Sequence, residues 1–155
     1  MVGPLEFVME DERWLSAAAG LESRAGDAVC AALARVKNAR PGDTVVLLTD
    51  DETVHALNKR FRGRDKPTNV LSFPAPQSES YPGDVALAFE TCAREAEAAG
   101  KPLADHAVHL VLHGVLHLNG YDHQEEGEAA EMEALESAVL TGLGIEDPYL
   151  AGTEP

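Results

Sequence analysis

Cysteine is scarce in this sequence: among 155 residues only Cys30 and Cys92 carry a thiol, and they form no CxxC pair. Two lone cysteines fit reduced, cytosolic thiols and argue against a disulfide framework. Long apolar runs are missing as well. The longest stretch without Asp, Glu, Lys or Arg in the apolar part runs from His106 to Tyr121; it is too short for a membrane helix and is interrupted by four histidines. Met1 to Glu12 is acidic and lacks the basic-then-apolar order of a secretory leader, so a cytoplasmic protein without a membrane partner is expected. Basic residues are few, twelve against 27 acidic ones, for a net charge of −15. Taken whole, that balance argues against a nucleic-acid binder, whose affinity for phosphates comes mainly from Lys and Arg. No repeat and no interdomain linker occurs, so residues 1–155 read as a single domain. With 45% hydrophobic and 25% charged residues the composition is that of an ordinary globular chain, which excludes wholesale disorder.

The few basic residues are unevenly placed. Lys59, Arg60, Arg62, Arg64 and Lys66 put five of the twelve within eight positions, and none occurs after Lys101, while Asp122 to Glu154 carry ten acids. A net charge can hide such a patch. A solvated basic loop and a phosphate-binding segment both account for it.

Apolar spacing and turn residues divide the chain. Strands are expected at Leu5–Met9, Thr44–Thr49, Asn69–Phe73 and Asp84–Phe89. Helices are expected at Arg24–Lys37, from Asp50 or Asp51 to about Phe61, at Thr91–Ala99, from Pro102 to about Leu118, and at Glu125–Leu140. Gly63–Thr68 and Pro74–Gly83 read as loops. Strands gather in the first ninety residues and helices follow, which predicts an α+β fold: a small mixed sheet of about four strands packed with about five helices.

The segment Leu103–Leu118 carries the chemistry. It is apolar on most sides, hence central and buried, yet His106, His109, His113 and His117 lie along roughly one face. Buried imidazoles need partners for their ring nitrogens, and a metal is one such partner. His113 and His117 are four apart, so both reach one ion. Gly120 lets the chain turn, and His123 can fold back as a third ligand. Three neutral nitrogens with an open position suit one catalytic Zn²⁺ per chain. His109 lies about 12 Å along the axis from His117 and cannot share that ion. It reads, with His106, as a core or ligand-supporting residue, and His55 as a surface one. The ligand spacing and glycine match the metzincin pattern H-E-x-x-H-x-x-G-x-x-H, but the position of its catalytic Glu is held by Gly114. Peptide hydrolysis by that route should be impaired. Either another group is the base or the metal acts on a different substrate. Asp122 could serve there, or could orient a ligand.

The segment HGVLHLNGYDH, His113 to His123, resembles the signature of the YbeY family of bacterial metal-dependent endoribonucleases. The stretch from Asn58 to Pro74, with its RGRDKPTNVLSFP, is similar to a second block of that family, and Pro82–Val85 to a third. The order and distances agree from about Leu47 to Gly144. The resemblance implies a zincin-like α+β fold with His113, His117 and His123 on zinc and Arg62 as the functional arginine of the cleft. It implies single-strand endoribonuclease activity in maturation of the 3′ end of small-subunit (16S) rRNA and in ribosome quality control. RNA and the small ribosomal subunit or its proteins would be the partners. Lys59, Arg60, Arg64 and Lys66 would then steer the RNA backbone. Asn69 departs from the Asp of many relatives. Two other readings stay open: a metzincin-like metallopeptidase, and a non-catalytic ribosome-associated factor with a structural metal, its acidity suited to a basic ribosomal protein.

Overall fold

The computed structural model describes residues 4–121 and 126–149. Along the chain come β1 (Leu5–Met9), α1 (Arg13–Ala17), α2 (Leu21–Leu33), β2 (Thr44–Thr49), α3 (Asp51–Arg62), β3 (Val70–Pro74), β4 (Gly83–Ala88), α4 (Phe89–Ala99), α5 (Leu103–Leu118) and α6 (Glu126–Gly142). The expected α+β sheet-and-helix architecture is present, with six helices among the described residues rather than about five. The extra one, α1, spans a single short turn that pins Trp14, whose indole N–H donates to the Thr49 carbonyl at 2.9 Å. Helix α2 starts and ends earlier than the expected Arg24–Lys37. Gly20 precedes it with φ of 84°, and the chain after Leu33 continues only as turns. No helix among the described residues is long and apolar enough to cross a membrane.

The four strands form one sheet in the order β1-β2-β4-β3. β1, β2 and β4 are parallel, and β3 runs antiparallel along β4 at the edge. Alternation along each strand sorts the side chains onto two faces. Val46, Leu48 and Leu87 join the larger core with α2 and α5. Leu71, Ala86 and Ala88 point the other way and pack with Val54 of α3 in a smaller cluster. Helix α5 is the centre of the molecule: Val108, Val111, Leu112, Val115 and Leu116 are fully buried.

Two local devices place α3 and its candidate residue Arg62. Asp50, not Asp51, caps α3, its carboxylate accepting from the Thr53 N–H at 2.8 Å. Asp51 instead accepts from the Thr91 N–H and hydroxyl at 2.9 and 2.7 Å, tying α3 to the start of α4. At the other end Gly63, in the left-handed region with φ of 67°, stops α3 directly after Arg62. The helix therefore delivers Arg62 from its last turn toward the edge strand β3.

Candidate metal centre

A cleft of about 550 Å³ opens along the edge of the sheet, between β3 and the C-terminal half of α5. Arg62, Ser72, Pro74, His113, His117 and Tyr121 are among its lining residues. The structure thus brings together three residues singled out in the sequence: Arg62 from the middle of the basic run and His113 and His117, the first two of the three expected ligands. Arg62 donates to the Ser72 carbonyl, which anchors its guanidinium across β3. It is the one Lys or Arg lining the cleft among the described residues.

The two histidine rings are held in matching orientations. His113 uses Nδ1 on the Glu136 carboxylate, at 2.7 Å, and His117 uses Nδ1 on the Tyr121 carbonyl, at 2.9 Å. That carbonyl is in reach because Gly120, at φ of 98°, turns the chain back over the end of α5, with the Tyr121 N–H on the Leu116 carbonyl. A neutral imidazole that donates through Nδ1 carries its lone pair on Nε2. The two Nε2 atoms face each other 3.1 Å apart. Two nitrogens on one tetrahedral zinc, each at about 2.0–2.1 Å, lie about 3.3 Å apart. Converging lone pairs at this spacing fit a shared cation. His123, the third expected ligand, and Asp122 lie outside the described residues.

Behind His113 stands a second set of groups. Glu136 of α6 is wholly buried and accepts from three donors: His113, His109 through Nε2 at 3.0 Å, and the Tyr149 hydroxyl. Burial opposes ionisation of Glu136, but hydrogen bonds from His109, His113 and Tyr149 outweigh it and hold the carboxyl at about 2. Burial, then the Glu136 carboxylate, pushes the Tyr149 phenol well above its ordinary range. One ligand atom each from His109, His113 and Glu136 lies within 4.8 Å of the others, a His/His/Glu group that can also hold a metal ion. His113 belongs to both sets, turning Nδ1 to the acid and Nε2 to the cleft.

Neither Glu136 nor Tyr149 was evident from the sequence. The signal for Glu136 was present: it stands four residues from both Met132 and Leu140, which are fully buried, so one acid sits on the apolar face of an otherwise acidic helix. Tyr149 arrives through the tail. Asp147 accepts from Ser137 at 2.7 Å and from the Tyr149 N–H at 2.9 Å, clamping the tail onto α6.

The remaining candidates lie elsewhere. Lys59, Arg60, Arg64 and Lys66 are exposed and do not line the cleft. His55 is on its own helix facing Asp65, at 2.8 Å. His106 pairs with Glu95 at 2.9 Å, and the same Glu95 oxygen accepts from the Asn69 amide, also at 2.9 Å. An aspartate at position 69 would face Glu95 with like charge, so Asn suits this pairing. Gly114 has a steric reason. A Cβ there would lie 3.0 Å from the Ser72 hydroxyl and from both Val85 methyls. Helix α5 rests so closely on β3 and β4 here that a side chain at this point requires Ser72 and Val85 to give way, which suits glycine in place of a peptidase glutamate.

Fold and site together define an α+β protein of zincin type with a histidine-lined, arginine-flanked cleft at the sheet edge. The family model for Endoribonuclease YbeY matches residues 9–144. Endoribonuclease YbeY of Paramagnetospirillum magneticum is 51% identical over 148 residues, covering 88% of this chain and 89% of the relative. The protein of the same name from a Chelativorans species is 54% identical over 128 residues, covering 79% and 78%. The solution structure of TM1509 from Thermotoga maritima shares the fold, with a TM-score of 0.53 at 21% identity over 94% of this chain and 99% of that one. The chain belongs to the YbeY endoribonuclease family.

Proposed function

We propose that this protein is a zinc-dependent, single-strand-specific endoribonuclease, acting in the cytoplasm on the 3′ end of small-subunit rRNA and in ribosome quality control. Residues 1–155 act as one catalytic domain, bound to precursor rRNA and the small ribosomal subunit. The observation that carries the reading is the meeting of Arg62 with the His113 and His117 Nε2 pair in one cleft, in a chain of this family. His113 and His117, with His123, would hold the ion, one per chain. A bound Zn²⁺ supplies Lewis acidity at a phosphodiester oxygen. The chain supplies the rest. Arg62 binds phosphate oxygens bidentately and stabilises the negative charge that gathers on them at the transition state. Glu136 and the Tyr121 carbonyl hold the two imidazoles in the tautomer that presents Nε2. Ser72 fixes Arg62 where the phosphate arrives. Lys59, Arg60, Arg64 and Lys66, outside the cleft, steer the RNA backbone toward it.

The peptidase reading is weakened at Gly114, which supplies no general base and sits tightly against Ser72 and Val85. The test pairs two measurements. Metal content by mass spectrometry should give one zinc per chain in the wild type and none in His123→Ala. Metal-loaded wild type should cut single-stranded rRNA fragments, while Arg62→Ala, still folded and zinc-loaded, should not. Intact fragments with fully loaded wild type would refute the enzyme.

A further inference from the structure

On the opposite face of β3 from His113 and His117 lies a second, apolar cavity of about 360 Å³. Val45, Leu47, Leu57, Phe61 and Phe73 line it, and Asp84 adds one carboxylate. It exists because α3 covers the second sheet face only in part. Phe61 is 59% exposed, so its ring face is open to solvent at the mouth of this groove. It stands edge-to-face with Phe73, centroids 5.9 Å apart. Two guanidinium groups flank this pair: Arg60 lies 5.1 Å from the Phe61 centroid and Arg62 5.7 Å from that of Phe73. Arg60, Arg62, Arg64 and Lys66 form no salt bridge among the described residues, in a protein of net charge −15.

We propose that this groove is a nucleobase subsite, in which Phe61 stacks the base of a nucleotide flanking the scissile phosphate of a single-stranded RNA. The inference rests on the endoribonuclease reading and extends it. Arg62 joins the two cavities, for it lines the metal cleft and also lies against Phe73. A strand whose phosphate is held by Arg62 is thereby led over β3 to the aromatic pair. The groove's chemistry sorts the parts of a nucleotide. Its walls are apolar and aromatic and take a base face; its rim is cationic and takes phosphate. Asp84 accepts hydrogen bonds from base N–H groups and repels phosphate. Aromatic stacking tolerates any base, and it requires unpaired bases, so the subsite selects single-stranded substrate.

The test is a coupling experiment. Metal-loaded protein is titrated with a fluorescent single-stranded RNA, and with the same RNA carrying an abasic nucleotide at each position beside the cut, anisotropy being read before turnover. Phe61→Ala should weaken binding of the intact RNA by about 5- to 140-fold. One abasic position should weaken wild type by a similar factor and leave Phe61→Ala no weaker still. Phe61→Trp should bind intact RNA at least as well as wild type. Equal binding by Phe61→Ala and wild type, or additive losses, would overturn the subsite while leaving the endoribonuclease reading in place. Loss of binding to small-subunit ribosomal protein, with RNA affinity unchanged, would assign the groove to a protein and also overturn it. Wild type that binds no RNA would remove both readings together.

Discussion

Helix α5 carries four histidines, and its two halves use them differently. In the N-terminal half, His106 and His109 meet their carboxylates through Nε2. In the C-terminal half, His113 and His117 meet their partners through Nδ1, which leaves Nε2 directed into the cleft. All four lie along one helix face, so position alone does not separate them. The location of the acceptor does. Glu136 lies between His109 and His113 and takes the far nitrogen of one ring and the near nitrogen of the other. Which histidine can serve a metal is decided by the partner that orients the ring, not by the helix that bears it.

The largest effect should come from the cleft half. His113→Ala or His117→Ala should lower zinc affinity by more than the roughly 100-fold that loss of an orienting partner alone can cost. Competition against a chelator of known affinity measures it. Substituting His106 by Ala should leave that affinity unchanged, and a comparable loss there would erase the contrast.

A second, smaller effect separates the two acids. Glu136→Gln should weaken zinc binding by about 10- to 100-fold, because its amide cannot accept from both histidines as the carboxylate does. Glu95→Gln, at the other end of the helix, should bind zinc as wild type. Equal losses in the two variants would mean that charge near the helix, not ring orientation, governs the site.

Much of this was legible from sequence, and the failures have physical causes. β2 and α5 fall where the residues predict, since Thr44–Thr49 is a continuous β-branched and apolar run and Leu103–Leu118 lies between Pro102 and Gly120. The HxxxH pair was visible because its spacing announces it, and Arg62 was picked out of the basic run by the family resemblance, not by charge. α1 was invisible because five residues hold no helical period. Tyr149 was invisible because its partners Glu136 and His109 are 13 and 40 residues away, and no local pattern encodes such contacts. Asp50 and Asp51 could both cap α3 by sequence; only the bonds from Thr53 and Thr91 distinguish them.

Packing at the boundary of the two halves gives a third prediction. Gly114→Ala forces a methyl against Ser72 and Val85 at 3.0 Å. Over-packing of this kind costs about 1–3 kcal/mol, which corresponds to roughly 2–12 °C in Tm for a chain of this size. Thermal unfolding of the zinc-loaded protein reads it, and an unchanged Tm would mean that α5 can lift from the sheet.

The smallest effect belongs to His106. Burial lowers its pKa below 6.5 against the opposing pull of Glu95, and among the described residues its Nδ1 is buried without a hydrogen-bond partner. The folded state therefore takes up this proton less readily than the unfolded chain does. Its contribution to stability is complete above pH 6.5 and is lost as pH falls below that value. Denaturant melts should show His106→Gln with a flatter stability profile than wild type between about pH 7 and 5. A steeper profile would reverse the sign.

The clamp that brings Tyr149 onto Glu136 also sets an order of events. A chain is made from its N-terminus, at about 5–20 residues per second, and segments fold as they emerge. The sheet and α5 can assemble before Glu136 exists, and Glu136 before Tyr149. The ring of His113 is therefore set only when α6 docks and brings Glu136 to it. The helix that displays the histidines and the helix that orients one of them are thus separate pieces of chain, joined through the core residues Met132, Val139 and Leu140.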